Sequence, residues 1–354
     1  MTSTSIQIPG ISGLHDEVEM KALEVTASIT LPDTRVAVVG DLHGNVGWAQ
    51  VLARTLPSLA PDVTTMLQLG DWQMPPAETD EVFAETGIER IYVTLGNHDR
   101  WNEITPLLNR HPGAAVRVSK MTWLLPRPAR LTIGGRRVLS VGGAASVDRE
   151  SRIEGLTWWP DEAITDEHVA AAIAGGSADL MLTHESPAGT PVRPVQRILR
   201  TNPHGFPQSA LDASASSRAR VSEVWDAVRP ELLMHGHLHV AGGGKTEDGR
   251  RVASFGRDTH EGNLGILDMK TLKVSAPSLA VIRGMADRWE DDYLERERRM
   301  KSVAESLHFG ALDGKKPSPA ATQDARDYVN GRRTLDELIE DVRRRHTRRP
   351  EDEA

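Results

Sequence analysis

Cysteine is absent from all 354 residues of the chain. This absence excludes disulfide bonds, thiolate metal ligands and cysteine nucleophiles, so a metal ion could be bound only by nitrogen and oxygen ligands. Long hydrophobic runs are also missing. No stretch reaches the length of a membrane-spanning helix, and no basic segment followed by an apolar one opens the chain. We therefore expect a cytoplasmic protein with no membrane partner.

Lysine is scarce, because only 8 of the 42 basic residues are Lys and the other 34 are Arg. Together with abundant Ala and Gly, this bias suggests GC-rich codons and hence a bacterial or phage origin. The net charge of −8 argues against a protein that coats nucleic acids in general, although it allows local basic patches. A hydrophobic fraction of 39% with 26% charged residues is typical of a globular protein with a substantial core.

Short apolar runs that end in polar or Gly-rich loops recur from Arg35 onwards, and helix-prone stretches such as Trp48–Leu56 lie between some of them. Such runs are typical of strands buried on both faces, and their alternation with helices predicts an α/β fold. Before them, Glu24–Ile29 alternates weakly and predicts an edge strand. Composition divides the chain into a main domain at 1–275, a helical extension at 276–309, a linker at 310–321 and a small helical tail at 322–354.

Five polar fragments carry Asp, Asn or His, and nearly every one follows a predicted strand. In α/β folds, small molecules and ions bind beyond the carboxyl ends of the strands, so the side chains that follow these strands are expected to converge. Oxygen and imidazole ligands suit divalent cations, and several strand ends are needed to surround two ions. The fragments are Gly40–Asn45, Gly70–Asp71, Gly96–Asp99, Thr183–Glu185 and His235–His239.

In this order the fragments resemble the signature of the calcineurin-like metallophosphoesterase superfamily, which reads Gly-Asp-x-His, Gly-Asp, Gly-Asn-His-Asp, a single His and Gly-His-x-His. The resemblance extends roughly over Arg35–Asp268. It implies a four-layer αββα sandwich, in which two mixed β-sheets are flanked by helices. It also implies a hydrolase that acts on phosphate esters.

The resemblance further implies a dinuclear metal site. One ion would be held by Asp41, His43 and His239 and the other by Asn97, His184 and His237, with Asp71 bridging the two. A hydroxide that bridges the ions would be the nucleophile, and His98 would stay free of the metals and serve as general acid. Mixed oxygen and nitrogen ligation makes Mn²⁺ the first choice of metal, with Fe or Zn²⁺ as alternatives.

The second fragment departs from better-known branches, including the Ser/Thr protein phosphatases, which read Gly-Asp-x-x-Asp-Arg-Gly at this point. Here Gly70-Asp71 is followed by Trp-Gln-Met-Pro-Pro, so both the second Asp, which orients the catalytic His, and the phosphate-binding Arg are missing. A protein phosphatase or a dinucleoside-tetraphosphate hydrolase is therefore less favoured. Asp99 could orient His98 as a second catalytic residue and Arg100 could bind phosphate, or both could be ordinary loop residues.

Tryptophan is frequent among few aromatic residues, with 8 Trp against 3 Tyr and 4 Phe. Trp48, Trp72 and Trp101 each follow a metal motif closely. These side chains, including Trp72, could line the site and stack on a flat part of the substrate. Alternatively, they could pack the loops against the sandwich. Arg149 and Arg152 share one long loop and are candidate substrate contacts, with surface ion pairs as the alternative.

These observations favour an enzyme that hydrolyses phosphate mono- or diesters of a nucleotide or another small molecule. A DNA or RNA phosphodiesterase is the alternative, although the acidic net charge does not indicate a basic groove. A further alternative is a non-catalytic scaffold with the same fold and a partner-binding tail. The segment Ala325–Ile339 resembles the small helical antitoxin modules that accompany Fic-type toxins, so the tail is a candidate site for a protein partner.

Overall fold

The computed structural model describes residues 20–288, 295, 298–299, 301–303, 318–329 and 332–347. The chain forms two compact units, Met1–Ile282 and Arg283–Ala354. The predicted linker at 310–321 lies outside the described residues except for 318–321, and the other predicted domain bounds stay predictions. Within the described part of the chain, no helix combines the length and the apolar character needed to cross a bilayer.

The described residues form fifteen short strands. They are β1 (Glu24–Thr26), β2 (Ile29–Leu31), β3 (Arg35–Val39), β4 (Thr65–Gln68), β5 (Arg90–Val93), β6 (Ala115–Arg117), β7 (Thr122–Leu124), β8 (Ala129–Ile133), β9 (Arg136–Val141), β10 (Leu180–Thr183), β11 (Leu232–His235), β12 (Gly242–Lys245), β13 (Arg251–Ser254), β14 (Leu264–Asp268) and β15 (Lys273–Ser275).

Helices lie between many of these strands. The first unit contains α1 (Val46–Leu59), α2 (Pro76–Phe83), α3 (Trp101–Arg110), α4 (Asp166–Ala174), α5 (Arg193–Thr201) and α6 (Gln208–Val228). In the second unit, two tail helices span Pro319–Val329 and Leu335–Thr347. The predicted helical C-terminal region is therefore confirmed.

The strands assemble into two mixed sheets. The first sheet has the order β1-β6-β7-β5-β4-β3-β14-β15 and the second has the order β12-β13-β11-β10-β9-β8-β2. Strands β3, β4, β5 and β7 are parallel to one another, and so are β9, β10, β11 and β13. Both sheets also contain antiparallel pairs, such as β3 with β14 and β8 with β9.

The predicted edge strand at Glu24–Ile29 is in fact two strands that belong to different sheets. β1 pairs with β6 at the edge of the first sheet, whereas β2 pairs with β8 at the edge of the second. The chain passes between the sheets at Ala27–Ser28, where the Thr26 hydroxyl donates a 2.8 Å hydrogen bond to the Ser28 carbonyl. This local turn breaks the alternation that the sequence pattern suggested.

Three apolar clusters define the layers of the main unit. One cluster lies between the sheets and joins Val38 and Leu67 of the first sheet to Leu180 and Leu232 of the second. The other two clusters pack α1, α2 and α3 on the outer face of the first sheet, and α4 and α6 on the outer face of the second. These layers confirm the predicted αββα sandwich. It forms because the central strands are apolar on both faces and must be covered on each side.

Candidate metal centre

The five ligand loops meet because the strands before them are parallel neighbours within each sheet and the two sheets pack face to face. β3, β4 and β5 lead to Asp41, Asp71 and Asn97, while β10 and β11 in the facing sheet lead to His184 and to His237 and His239. The carboxyl ends of parallel strands lie at one edge of a sheet. As a result, single ligand atoms of four residues lie within 4.8 Å of one another, namely Asp41, His43, Asp71 and His239.

Asp71 lies at the middle of this arrangement. Its Oδ2 atom is 3.5 Å from His43 Nε2, 3.3 Å from His184 Nε2 and 4.0 Å from His98 Nε2. This oxygen is buried and has no hydrogen-bond partner among the described residues, while Oδ1 accepts a 2.8 Å hydrogen bond from the backbone N–H of His98. A buried carboxylate oxygen without a donor is costly unless a cation binds it. Asp71 is therefore suited to bridge two ions.

Asn97 and His184 are held so that their ligand atoms face each other. The two atoms, Asn97 Oδ1 and His184 Nε2, are 2.9 Å apart. His184 Nδ1 lies 2.7 Å from the Leu69 carbonyl, which accepts a hydrogen bond from the Nδ1–H and leaves the Nε2 lone pair free for a metal. The Asn97 amide donates to Ser146 Oγ at 2.9 Å, and this hydroxyl donates to Glu162 Oε2 at 2.7 Å. This chain of hydrogen bonds turns the amide oxygen of Asn97 towards His184.

Two carboxylates outside the predicted ligand set contact its histidines. Asp258 Oδ1 lies 3.4 Å from His43 Nδ1, and Glu185 Oε2 lies 3.8 Å from His237 Nε2. Carboxylates beside the second ring nitrogen orient a ligating imidazole. Neither role could be assigned from the sequence, although Glu185 belongs to the fourth fragment and Asp258 follows a strand, β13, as the predicted ligands do.

The backbone of the ligand loops is unusually strained. His43, Asp71, His237 and His239 have φ values of 49°, 54°, 67° and 58°, in the left-handed region that residues other than glycine seldom adopt. Such conformations cost free energy and persist where surrounding structure holds them in place, which is common at functional sites. Here the strained residues are four of the seven predicted metal ligands.

The carboxylates give the centre a strong preference for positive charge. Burial disfavours a protonated His184, but the carboxylates of Asp71 and Asp41 outweigh this effect and raise the pKa of its imidazole to about 10. The pKa of His43 is also raised, because Asp71, Asp41 and Asp258 together outweigh the effect of burial. Divalent cations can supply the same charge, and the Asp, Asn and His donors fit transition ions such as Mn²⁺, Fe²⁺ and Zn²⁺.

His98 lies beside the ligand set, and its ring contacts an arginine. Its Nε2 atom is 3.1 Å from Arg152 Nη2, while the Gln73 amide donates a 2.6 Å hydrogen bond to the His98 carbonyl. The Asp99 carboxylate accepts hydrogen bonds from the backbone N–H groups of Gln73 and Gly96, at 3.2 and 2.6 Å. Among the described residues no hydrogen bond joins Asp99 to the His98 imidazole. The orienting role of Asp99 stays a prediction that these contacts do not support.

The other predicted substrate residues lie in different environments. Arg100 is exposed and forms a 3.3 Å ion pair with Glu103. Trp72 is only 4% exposed and stacks on Phe83 with ring centroids 6.4 Å apart. Arg149 packs over the Trp158 ring at 5.1 Å. Their contact with substrate stays a prediction, and the burial of Trp72 favours the packing alternative.

Two other tryptophans also serve the protein's own loops. Trp48 donates a 2.7 Å hydrogen bond to Asn263 Oδ1, and Trp101 donates one of 3.1 Å to the Gly96 carbonyl. Both rings are buried. A stacking surface for a substrate base therefore has no support from these two side chains.

Comparison with known proteins gives two family matches. Residues 34–241 match the model of the family described as calcineurin-like phosphoesterase, and residues 299–345 match that of antitoxin VbhA. No curated protein matches the chain.

Solved structures of low sequence identity are similar to the chain. A protein of Thermus thermophilus named TT1561 is 13% identical with a TM-score of 0.42, over 70% of this chain and 99% of that one. A dimetal phosphatase from Danio rerio is 11% identical with a TM-score of 0.44, over 70% and 97%. A 5'-nucleotidase from Candida albicans is 12% identical with a TM-score of 0.40, over 73% and 55%.

The match at residues 34–241 covers more than half of the chain and includes all seven predicted metal ligands. The sheet topology and the convergence of these residues agree with it. This chain belongs to the calcineurin-like phosphoesterase family.

Proposed function

We propose that the chain hydrolyses phosphate mono- or diesters of a nucleotide or another small molecule, with two divalent metal ions as cofactors. The observation that supports this most directly is the buried Asp71 Oδ2, which faces three imidazoles and has no donor among the described residues. The donor set is mixed oxygen and nitrogen, for which Mn²⁺ is our first choice and Fe or Zn²⁺ the alternatives.

The ligands divide into two groups around Asp71. Asp41, His43 and His239 would hold one ion, and Asn97, His184 and His237 the other. When bound, two divalent ions supply an acidified water as nucleophile and neutralise charge on the phosphoryl oxygens. The protein contributes the fixed geometry: His184 is held by the Leu69 carbonyl, and Asn97 is held by Ser146.

His98 is the proposed general acid. Its ring is placed by its own backbone, because its N–H donates to Asp71 Oδ1 and its carbonyl accepts from the Gln73 amide. The Nε2 atom is 4.0 Å from Asp71 Oδ2, so the ring lies beside the proposed ligand set without being assigned to it. From there it donates a proton to the leaving oxygen, a contribution that is worth about 10²- to 10⁴-fold in rate.

Reconstitution of the metal-free protein tests this function. Purified protein is loaded separately with Mn²⁺, Fe²⁺, Zn²⁺ and Mg²⁺ and assayed on p-nitrophenyl phosphate and bis-p-nitrophenyl phosphate. We expect metal-dependent turnover that is abolished by Asp71→Asn and reduced by at least about 100-fold in His98→Ala. If no metal gives turnover and His98→Ala changes nothing, the non-catalytic scaffold is the correct interpretation.

A DNA or RNA phosphodiesterase remains the second candidate, and helix α5 favours it. This helix exposes Arg193, Arg197 and Arg200 on one face, and their side chains have no partner among the described residues. Its buried Val195 packs into the same apolar cluster as Leu238 of the loop after β11. An unpaired basic face on a helix packed beside a ligand loop suits a phosphate backbone.

The triple variant Arg193→Ala, Arg197→Ala and Arg200→Ala separates the two substrates. With a nucleic-acid substrate it should reduce hydrolysis of a single-stranded oligonucleotide, and the salt dependence of that hydrolysis, without changing turnover of bis-p-nitrophenyl phosphate. Equal loss on both substrates, or no loss on either, would contradict the nucleic-acid function.

We also propose that the tail binds a protein partner. The match to antitoxin VbhA supports this, and the second tail helix exposes Leu335 (54%) and Ile339 (40%) one turn apart. Exposed apolar side chains at this spacing form a stripe suited to a protein surface. By the resemblance of this segment, a Fic-type toxin is the first partner to test. The cytoplasmic location and the bacterial or phage origin stay predictions from the sequence.

A further inference from the structure

The loop between β9 and α4 runs from the carboxyl end of β9, in the second sheet, to the candidate metal centre. Its Ser146 is buried and accepts the hydrogen bond from the Asn97 amide. Six residues further on, after a 3₁₀ turn at Arg149–Ser151, the loop brings the guanidinium of Arg152 to His98. The loop therefore contacts the centre twice, through the Ser146 hydroxyl at Asn97 and through the Arg152 guanidinium at His98.

Arg152 stands next to the group proposed to act on the leaving oxygen. One imidazole separates its guanidinium from the middle of the ligand set, because His98 Nε2 is 3.1 Å from Arg152 Nη2 and 4.0 Å from Asp71 Oδ2. The side chain is only 18% exposed, and arginine keeps its charge at any pH at which the protein is folded. This part of the site therefore holds a guanidinium donor whose protonation does not change with pH.

Two contacts within the loop hold the guanidinium of Arg152 in place. Its Nη2 forms a 2.8 Å ion pair with Asp148 Oδ2, and its Nη1 donates a 2.8 Å hydrogen bond to the Thr157 carbonyl. The Nε–H is buried and has no acceptor among the described residues. A guanidinium held in this way presents a preorganised donor, and arginine forks match the oxygens of a phosphoryl group.

We propose that Arg152 is a substrate-binding residue, which donates to a phosphoryl oxygen of the ester, and that Asp148 is the residue that positions it. This inference rests on the proposed phosphoesterase function. The chain lacks the arginine that other branches carry after the second motif, and Arg152 supplies an equivalent charge from a different loop. On substrate binding, the phosphoryl oxygen replaces the His98 ring as acceptor for Arg152, so that Nε2 can take up a proton from solvent and then donate it to the leaving oxygen.

The test uses the full chain with Arg152→Ala, Arg152→Lys and Asp148→Asn. Arg110→Ala is the matched control, because Arg110 is an exposed arginine in the last turn of α3. Two properties are measured: kcat and KM for bis-p-nitrophenyl phosphate, and the rise in melting temperature that inorganic phosphate causes in Mn²⁺-loaded protein. The melting temperature without phosphate is recorded for each variant.

We expect Arg152→Ala to lower kcat/KM and the apparent affinity for phosphate by roughly 10- to 100-fold each, as for the loss of a charge-assisted hydrogen bond. Arg152→Lys should recover part of the phosphate affinity. The phosphate affinity of Asp148→Asn should lie between those of Arg152→Ala and the wild type, and the control should match the wild type. Bound Mn²⁺ should be unchanged throughout, since Arg152 is not a ligand.

Equal phosphate affinity in the wild type and in Arg152→Ala overturns the inference, and so does a wild type that binds no phosphate. A variant that only melts at lower temperature, with KM and phosphate affinity unchanged, shows that the pair with Asp148 is structural and also overturns it. If phosphate binds through Arg152 but no ester is hydrolysed, the inference stands and the proposed function fails. If Arg152→Ala hydrolyses esters as well as the wild type does, the proposed function stands and the inference about Arg152 fails.

Discussion

A methyl group added at Gly236 should disable the metal centre while leaving the fold largely intact. Three motif glycines lie directly against ligands from neighbouring loops: Gly70 against His184, Gly96 against Asp71, and Gly236 against Asp41. Gly236 is the best place for a test, because its φ lies outside the left-handed region and its added Cβ would overlap only a side-chain atom, whereas a Cβ at Gly96 would also overlap the backbone of Asp71. The effect of Gly236→Ala is then steric.

The size of the effect follows from the contact. A Cβ at Gly236 would overlap Asp41 Oδ1, so the carboxylate has to retreat by about 1 Å, and a displacement of that size at a reacting centre costs on the order of 100-fold in rate. Overpacking of a buried site typically costs about 1–3 kcal/mol of stability. Because Asp41 also pairs with His239 at 3.2 Å, the shift should weaken metal binding as well.

Gly243→Ala is the matched control, because the nearest atom to its added Cβ would be the Val252 carbonyl oxygen at 3.9 Å, an ordinary contact. We expect Gly236→Ala to lose about 100-fold in kcat on bis-p-nitrophenyl phosphate and most of the rise in melting temperature that Mn²⁺ produces in the wild type. The control should keep both. A Gly236→Ala protein with wild-type kcat and an unchanged response to Mn²⁺ would refute the reasoning.

Three further outcomes are expected. Ser146→Ala removes the acceptor of the Asn97 amide and should weaken metal binding by about 10- to 100-fold in a Mn²⁺ titration, whereas Ser216→Ala, at an exposed position of α6, should not. Metal-free protein at pH 7.5 holds a proton on His184, since Asp71 and Asp41 raise its pKa to about 10 despite burial. Metal binding must displace this proton, so calorimetric enthalpies should vary with the ionisation enthalpy of the buffer, and identical enthalpies in phosphate-free buffers of different kinds would contradict this. Leu335→Asp with Ile339→Asp should abolish capture of a protein partner and leave ester turnover unchanged; a parallel loss of turnover would argue against a separate role for the tail.

Much of the fold could be predicted from the sequence, and candidate metal ligands could be named, because both depend on local patterns. Apolar runs such as Val36–Val39 are hydrophobic at every position, which is required of a strand covered on both faces. The Asp and His residues at the ends of such runs were expected to converge because parallel strands bring their carboxyl ends together, and the family resemblance implied which ion each would hold. The same reasoning failed at Glu24–Ile29, where a turn at Ala27–Ser28 sends two short strands to different sheets.

The partners of the ligands depend on contacts between distant parts of the chain. Asp258 reaches His43 across more than 200 residues, and Glu162 acts on Asn97 through Ser146. No spacing in the sequence links these residues, because their proximity is set by how the two sheets and their loops pack. The same packing separates Arg149, which lies over Trp158, from Arg152, which contacts His98.

By itself, the sequence determined that cysteine chemistry is impossible and that the fold is of the α/β class, while its resemblance to a known family implied the sandwich and the candidate ligands of two metal ions. These properties follow from composition, from hydrophobic pattern and from motifs that each occupy a few consecutive residues. Only the tertiary structure decided that Trp72 is buried against Phe83, and that Arg152 rather than Arg149 faces His98. Such choices depend on the path of a loop and on burial, which are set by the whole fold and not by neighbouring residues.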